Sequence, residues 1–365
     1  MHKKISSFLV FLFLIQIGFA QIGGNFTYQF MDYRVSARIA GLGGSLIAVH
    51  DNDPTLIMYN PSLIAPKFST SLVVGSVDYF GHTGYNAATY AQTFNKVGSF
   101  AMEVRYAGYG TFVRTDEAGY ELGTFSCNDA GLTLGWGRSL DSCFSIGANL
   151  KLMYSGYESY SSFGMAVDVA GSYYNKNKNI SLAVLFKNIG GELKPFVDGE
   201  RNWAPFDIQF AFSQRLKFIP VRYHISLHSL YKWKMGYVGP EDPTYEIDAM
   251  SGNPKYPSKF NQGINNFFRH INFGLEIIPV KNLTLFVSYN HHQNREMRIM
   301  QKKSMAGFAY GFFIDIKSIQ FGFSRSHYAV GAIPNYFNFS VNINDLSQLS
   351  KANKQKKLER VTNSQ

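Results

Sequence analysis

The sequence predicts an all-β protein, a 14-stranded antiparallel transmembrane β-barrel of the outer membrane with a short N-terminal hatch or plug. Three observations predict it. The chain opens with a secretory leader, its composition is rich in aromatics and poor in charge, and long stretches of period-two alternation are separated by connections that alternate between short and long.

The leader comes first. Lys3 and Lys4 precede an almost wholly apolar run from Ile5 to Phe19, and Gly18 and Ala20 stand where a signal peptidase reads. Residues 1–20 are therefore expected to be a signal peptide cleaved after Ala20. The run is short of the roughly 20 apolar residues that a membrane-crossing helix requires.

Composition narrows the class. Aromatics make up 16% of the chain, with 32 Phe and 23 Tyr, and charged residues only 16%, against about a quarter in ordinary soluble proteins. A barrel in lipid needs an apolar outer band and aromatic girdles, and this composition supplies both. The net charge of +10 falls by two with Lys3 and Lys4. The positive residues are scattered, apart from the run Lys351 to Arg360, so no nucleic-acid partner is expected; the expected contact is outer-membrane lipid. Cys127 and Cys143 are expected to be unpaired. With a tight turn near Asp141 and Ser142, about 13 residues of strand separate them, roughly 40 Å at about 3.3 Å per residue.

From Ser69 onward, apolar residues alternate with small or polar ones. Leu132, Leu134 and Trp136 alternate with Gly131, Thr133, Gly135 and Gly137; Phe144, Ile146, Ala148, Leu150 and Leu152 with Ser145, Gly147, Asn149 and Lys151. Similar rows are Phe206, Ile208, Phe210 and Phe212; Ile271, Phe273, Leu275 and Ile277; Leu283, Leu285, Val287 and Tyr289; Ile319, Phe321 and Phe323; and Phe337, Phe339, Val341 and Ile343. The expected strands are 69–80, 85–95, 98–114, 121–139, 141–157, 160–175, 179–190, 204–217, 221–235, 266–279, 282–293, 304–316, 318–329 and 335–344. Each is long enough for a tilted membrane strand, and the number is even, as in bacterial single-chain barrels.

Loop lengths support the same reading. Tight connections at Asn95-Lys96, Asp141-Ser142, Asn175 to Asn179, Phe218 to Pro220, Val280-Lys281 and Lys317-Ser318 alternate with mostly longer ones, among them 108–120, 191–203, 236–265 and 294–303. Short periplasmic turns opposite longer outer loops are the outer-membrane pattern; a soluble β-sandwich does not require it. The 236–265 loop carries four prolines and the acidic residues Glu241, Asp242, Glu246 and Asp248, which make it the candidate partner-contact loop. Residues 345–365 read as a polar periplasmic tail, and 69–344 as the barrel.

Residues 21–68 lack clean alternation and are too polar for a membrane strand, so they are expected to pack inside the barrel. Here the chain reads Ala37-Arg38-Ile39-Ala40-Gly41-Leu42-Gly43-Gly44, then Asp51, Asn52, Asp53 and Pro54, then Asn60-Pro61-Ser62-Leu63. Glycine and Asn-Pro are turn chemistry. The glycines do not make G-x-G-x-x-G and no Lys-Ser or Lys-Thr follows, so no nucleotide loop is formed. The candidate hatch motif is Arg38, Gly41, Gly43, Gly44, Asp51, Asn60 and Pro61.

In order and spacing this segment resembles the N-terminal region of the fatty-acid-transporter-like outer-membrane barrels, with Ser62 where that superfamily has Ala. Within it the chain is similar to the PorV/PorQ family of type IX secretion components. Tyr109 to Gly123, with Phe112, Arg114, Asp116 and Glu117, carries the resemblance, as do Phe144 to Phe163, Lys187-Asn188-Ile189-Gly190 and Pro205-Phe206-Asp207-Ile208. It spans nearly the whole mature chain. It implies a 14-stranded barrel with an N-terminal hatch and a non-enzymatic role at the cell surface: holding a PorZ-like surface protein in the cargo-attachment complex with PorU and PorV. The alternative is a fatty-acid-transporter-like channel for hydrophobic small molecules. The lumen rows of Ser, Thr, Gly, Asn and Gln argue mildly against that conduit.

No catalytic, cofactor or metal constellation emerges from the residues themselves. His291 and His292, adjacent on an expected strand at the outer rim, would point to opposite faces. His224 and His228 are expected in a polar lumen row. Asp51 and Asp53 lack the bidentate Glu of a calcium loop and are followed by Pro54.

Overall fold

The computed structural model describes residues 26–79, 83–236, 246–247, 250–252, 254–255, 258–297, 304–316 and 318–348. The expected signal peptide, Glu241, Asp242, Asp248 and the tail beyond 348 lie outside the described residues.

Strands β1 (Ser71–Asp78), β2 (Gly84–Phe94), β3 (Gly98–Thr115), β4 (Glu121–Ser139), β5 (Phe144–Tyr157), β6 (Tyr160–Asn175), β7 (Ile180–Lys194), β8 (Asp207–Arg215) and β9 (Val221–Leu227) follow one another. A two-residue pair, β10 (Glu246–Ile247) and β11 (Pro254–Lys255), sits in the long loop. Strands β12 (Ile271–Val280), β13 (Leu283–Asn290), β14 (Phe308–Ile316), β15 (Ile319–Ser326) and β16 (Asn335–Asn342) complete the sheet. All but β10 and β11 form one closed antiparallel barrel, sealed by β1 on β16 from Ser71↔Asn342 to Asp78↔Asn335. Closure leaves no unpaired edge, the condition for strands to cross hydrocarbon.

Period two sorts the wall. On β5 the inward Ser145, Gly147, Asn149 and Lys151 are buried, while Phe144, Ile146 and Leu150 are exposed. Leu134, Phe273, Leu275, Leu285, Val287, Phe321, Phe337 and Phe339 are likewise exposed, and Leu132, Ile208 and Phe210 are half-exposed on the outer face. These are the expected lipid-facing residues. Cross-strand aromatics knit that face, with Phe312–Phe323 at 5.7 Å and Phe323–Phe337 at 5.3 Å between ring centroids.

Short turns such as 140–143 and 281–282 mark the periplasmic end; 195–206, 228–236, 258–270, 291–297 and 304–307 lie at the other. At Asp141 the carboxylate accepts the backbone N–H groups of Cys143 and Phe144, both at 2.7 Å, and these hold its pKa below the usual value. One outer connection, at Glu158, is short, and β3 and β4 reach beyond the others to form a protruding hairpin. Both cysteines are free, Cys127 opposite Tyr157 and Cys143 in the turn before β5.

Some expected limits shift. The segment expected as strand from 266 begins as helix, because Ser258 caps a helix over Lys259–Arg269 by accepting the Asn261 N–H. The expected strand 221–235 ends at Leu227. Phe206 precedes β8, and residues 343–348 are helical rather than a continuation of the last strand through Ile343.

Within the lumen lies the hatch. It contains helix α1 (Ala37–Gly41) and 3-10 turns at Gln29–Asp32, Pro54–Leu56, Pro61–Leu63 and Pro66–Phe68. Helix α2 is Lys259–Arg269 and helix α3 is His291–Glu296, both at the outer mouth. The hatch supplies its own core: Ile39, Leu42, Leu46, Val49 and Leu56 bury against Phe286 and Phe313 of the wall. Each such side chain removed from water contributes roughly 1.5–3 kcal/mol. A closed barrel of inward polar residues would otherwise hold water; here an apolar plug fills it.

Candidate functional site: the hatch and its lumen contacts

The motif residues foreseen in the hatch are the ones that hold it. Arg38, in α1, is buried and meets three carboxylates: Asp51 at 2.7 Å, Asp53 at 3.2 Å and Glu276 of β12 at 2.7 Å. Arg222 of β9 closes the ring, 2.8 Å from Asp51 and 2.9 Å from Glu276, and His224 lies 3.0 Å from Glu276. A buried guanidinium is tolerable only when its donors are matched, and Arg38 has a carboxylate for each face of its fork. Burial alone would raise the Asp51 pKa, but Arg38 and Arg222 more than offset it and hold the carboxyl well below the usual range. The network sits over a cavity of about 360 Å³ at the periplasmic end, lined also by Lys281 and Asp315.

Each glycine and proline of the motif has a specific task. Gly41 packs where a Cβ would stand 2.1 Å from the Phe286 ring, and its carbonyl accepts from Ser288 Oγ at 2.9 Å. Gly43, at φ +83°, offers its carbonyl to Asn272 and Asn290, each at 3.2 Å. Asn60 caps the turn that Pro61 begins, accepting from Ser62 N–H at 3.0 Å while its own amide donates to Ile47 O at 2.6 Å. The Pro61 carbonyl then approaches Gly137 and Gly147 so closely that a Cβ on either would collide with it. The small residues of the β4 and β5 lumen rows are thus the seat of the Asn-Pro turn.

The rest of the wall completes the hatch's hydrogen bonding. Arg105, paired with Glu103 at 2.7 Å, donates to Met31 O and Tyr33 O. Asn149 donates to Met58 O and Ser213 to Ala48 O, and Asn338 donates to Val35 O and accepts from Ala37 N–H. Irregular backbone inside a membrane protein must find such partners. A bulge in β7 turns Lys187 and Asn188 inward together, and both reach Asp32, at 2.5 and 3.1 Å.

Two histidine expectations change. His291 and His292 open helix α3 rather than ending a strand, because Asn290 caps it by accepting the Gln293 N–H at 2.9 Å. His291 then bridges Tyr289 and Asn265. His224, expected in a bland polar row, belongs to the charged network. Of the expected partner-contact residues, Glu246 lies in β10, apart from the hatch. Sequence reasoning missed Glu276 and Arg222; each is an ionisable residue at an inward position of an otherwise small or polar row, and that was the available signal.

No family model matches the chain, and no curated protein matches it in sequence. Among solved structures, the Ralstonia pickettii toluene transporter TbuX is similar at 9% identity and TM-score 0.46, covering 84% of this chain and 96% of its own. The Pseudomonas putida toluene transporter TodX is similar at 11% identity and TM-score 0.47, covering 83% and 95%. The CymD monoaromatic hydrocarbon channel is similar at 10% identity and TM-score 0.49, covering 85% and 97%.

Proposed function

We propose that this chain is a non-enzymatic, hatch-closed outer-membrane anchor of the PorQ type, holding a PorZ-like surface protein in a type IX attachment complex with PorU and PorV. The observation that carries the reading is the locked hatch. Residues 26–68 fill the lumen, and Arg38 ties α1 to the wall through Glu276. The cavities on the outer and periplasmic sides of the hatch share no lining residue. A sealed body with its wall in lipid and its long connections at one end suits a support. The loop carrying Glu241, Asp242, Glu246 and Asp248 is our candidate for the contact, where acidic side chains would act mainly on association rate and salt dependence. The sequence resemblance supplies the partner; no geometry does.

The second reading is a conduit for hydrophobic small molecules. The names of the three similar structures favour it over anchoring, and the hatch's apolar core suits such a passage if the hatch moves. Two experiments separate the readings. In the anchor case a deletion strain sheds its surface partner and leaves cargo unattached, and removal of 239–258 lowers co-purification of that partner. In the conduit case the deletion strain attaches cargo normally, and reconstituted protein takes up labelled fatty acid or toluene.

A further inference from the structure

Arg34 stands apart from the paired arginines of the lumen. Arg38, Arg105, Arg222 and Arg269 each face a carboxylate. Arg34 is half-buried, and among the described residues no carboxylate or carbonyl engages its guanidinium. Its position is nevertheless built. Gly44, the last glycine of the hatch motif, is at φ +93°, and a Cβ there would lie 1.9 Å from Arg34 Nε. The guanidinium therefore rests flat on the one residue type that leaves room for it.

Two cavities of about 340 and 280 Å³ meet at this residue, sharing Asp32, Arg34, Asp207, Ser229 and Tyr328 in their lining. Together they form a recess on the outer face of the hatch, of the size range of small-ligand sites. Among the described residues, three further polar atoms on its wall are orphaned, one of them Nδ1 of His292. His228 is 9% exposed and its Nε2 has no partner; Asn272 is 2% exposed and its Oδ1 has none, although its amide donates to Gly43 and Ser45. Buried polar atoms are satisfied in the great majority of cases. A guanidinium, two imidazole nitrogens and an amide oxygen left open around one recess describe a complement to something polar.

The acids of the recess are already engaged. Asp32 is held by Lys187 and Asn188, Asp207 accepts from Gln209 at 2.7 Å and Ser229 N–H at 2.6 Å, and Glu296 pairs with Arg269. What remains is a cation, three neutral polar groups and aromatic walls that are mostly phenolic. Tyr33 and Tyr85 lie 4.4 Å apart, Tyr79 and Tyr85 5.2 Å, and Tyr79 and Tyr328 6.3 Å between centroids.

We propose that this outer-facing recess binds an acidic sugar: its carboxylate on Arg34, its hydroxyls on His228 and Asn272, and its ring against the tyrosines. Arginine receives a carboxylate through two parallel N–H bonds. Phenolic rings offer C–H-facing surface and a hydroxyl together, which suits a polyhydroxylated ring better than a hydrocarbon. The site is independent of whether the barrel anchors or conducts.

The test is calorimetric titration of the full chain in detergent with glucuronic acid, glucose, benzoic acid and an oligosaccharide ending in glucuronic acid. Glucuronic acid should bind saturably, and glucose about tenfold or more weaker, since one charge-assisted contact is lost. Arg34→Gln should weaken glucuronic acid to the level of glucose, with Arg34→Lys between. Because Arg34 has no hydrogen-bond or ion-pair partner among the described residues, Arg34→Gln should keep the wild-type unfolding midpoint, which separates loss of binding from loss of fold. Tighter binding of the oligosaccharide would identify a surface glycan as the source; equal binding would identify the free sugar. Absence of saturable glucuronic acid binding, unchanged affinity in a folded Arg34→Gln, or tighter binding of benzoic acid would overturn the proposal.

Discussion

Arg38 and Glu276 are 238 residues apart in the chain, and Arg38 Nε donates to Glu276 Oε1 at 2.7 Å. This contact fastens the hatch to the wall, and its strength depends on both groups staying charged where water is scarce. Removing one member strands the others.

Arg38→Ala should therefore destabilise the folded barrel by about 3–5 kcal/mol, because Asp51, Asp53 and Glu276 lose a shared cation while buried. Urea unfolding in micelles measures it. Replacing Arg38 and Glu276 together should cost less than the sum of the two single changes, and additive costs would show that the pair does not act as a unit.

His50 gives a dependence on pH. Burial, aided by the Lys67 ammonium, lowers its pKa from 6.5 to about 4. The folded state then binds fewer protons than the unfolded one between those values, so stability should fall as pH drops from 6.5 toward 4. His50→Gln should flatten the slope in that window. An unchanged slope would assign it to other groups.

Gly41→Ala should cost about 1–3 kcal/mol by forcing the Phe286 ring aside. Phe286→Leu opens that space, so the double variant should be less damaged than the two separate costs imply. Thermal unfolding followed by gel mobility reads both.

On the outer face, Phe339 lies midway along β16, between Val74 and Phe321. Phe339→Arg should cost roughly 2–4 kcal/mol in a lipid bilayer if this height is the midplane. Measurement in liposomes gives the depth directly, and a near-zero cost would move the membrane along the barrel axis.

Fourteen strands were legible because alternation and turn chemistry are local, and a closed barrel repeats them without interruption. The hatch was legible in part for the same reason: Asn60-Pro61 and Gly43-Gly44 are turn residues wherever they occur. Glu276, Arg222 and Lys187 were not, because their partners lie in distant strands and nothing in their neighbours announces a buried charge. Helices α2 and α3 escaped because Phe267-Phe268 and Tyr289 to His292 sit beside genuine strands and read as their extension; caps at Ser258 and Asn290 decided otherwise. The recess around Arg34 is assembled from the hatch, β12 and two outer connections, so no single stretch describes it.

Asn338 of β16 grips the hatch at Val35 and Ala37, across 303 and 301 residues, while its own strand seals the barrel against β1. A segment that precedes the first strand of the barrel is thus held by the strand that closes it. Such contacts carry the largest loop-closure entropy in the molecule and form late. Seating of the plug and closure of the cylinder are consequently coupled, and a chain halted before residue 335 would present two open strand edges together with a plug that lacks its hold at Val35 and Ala37.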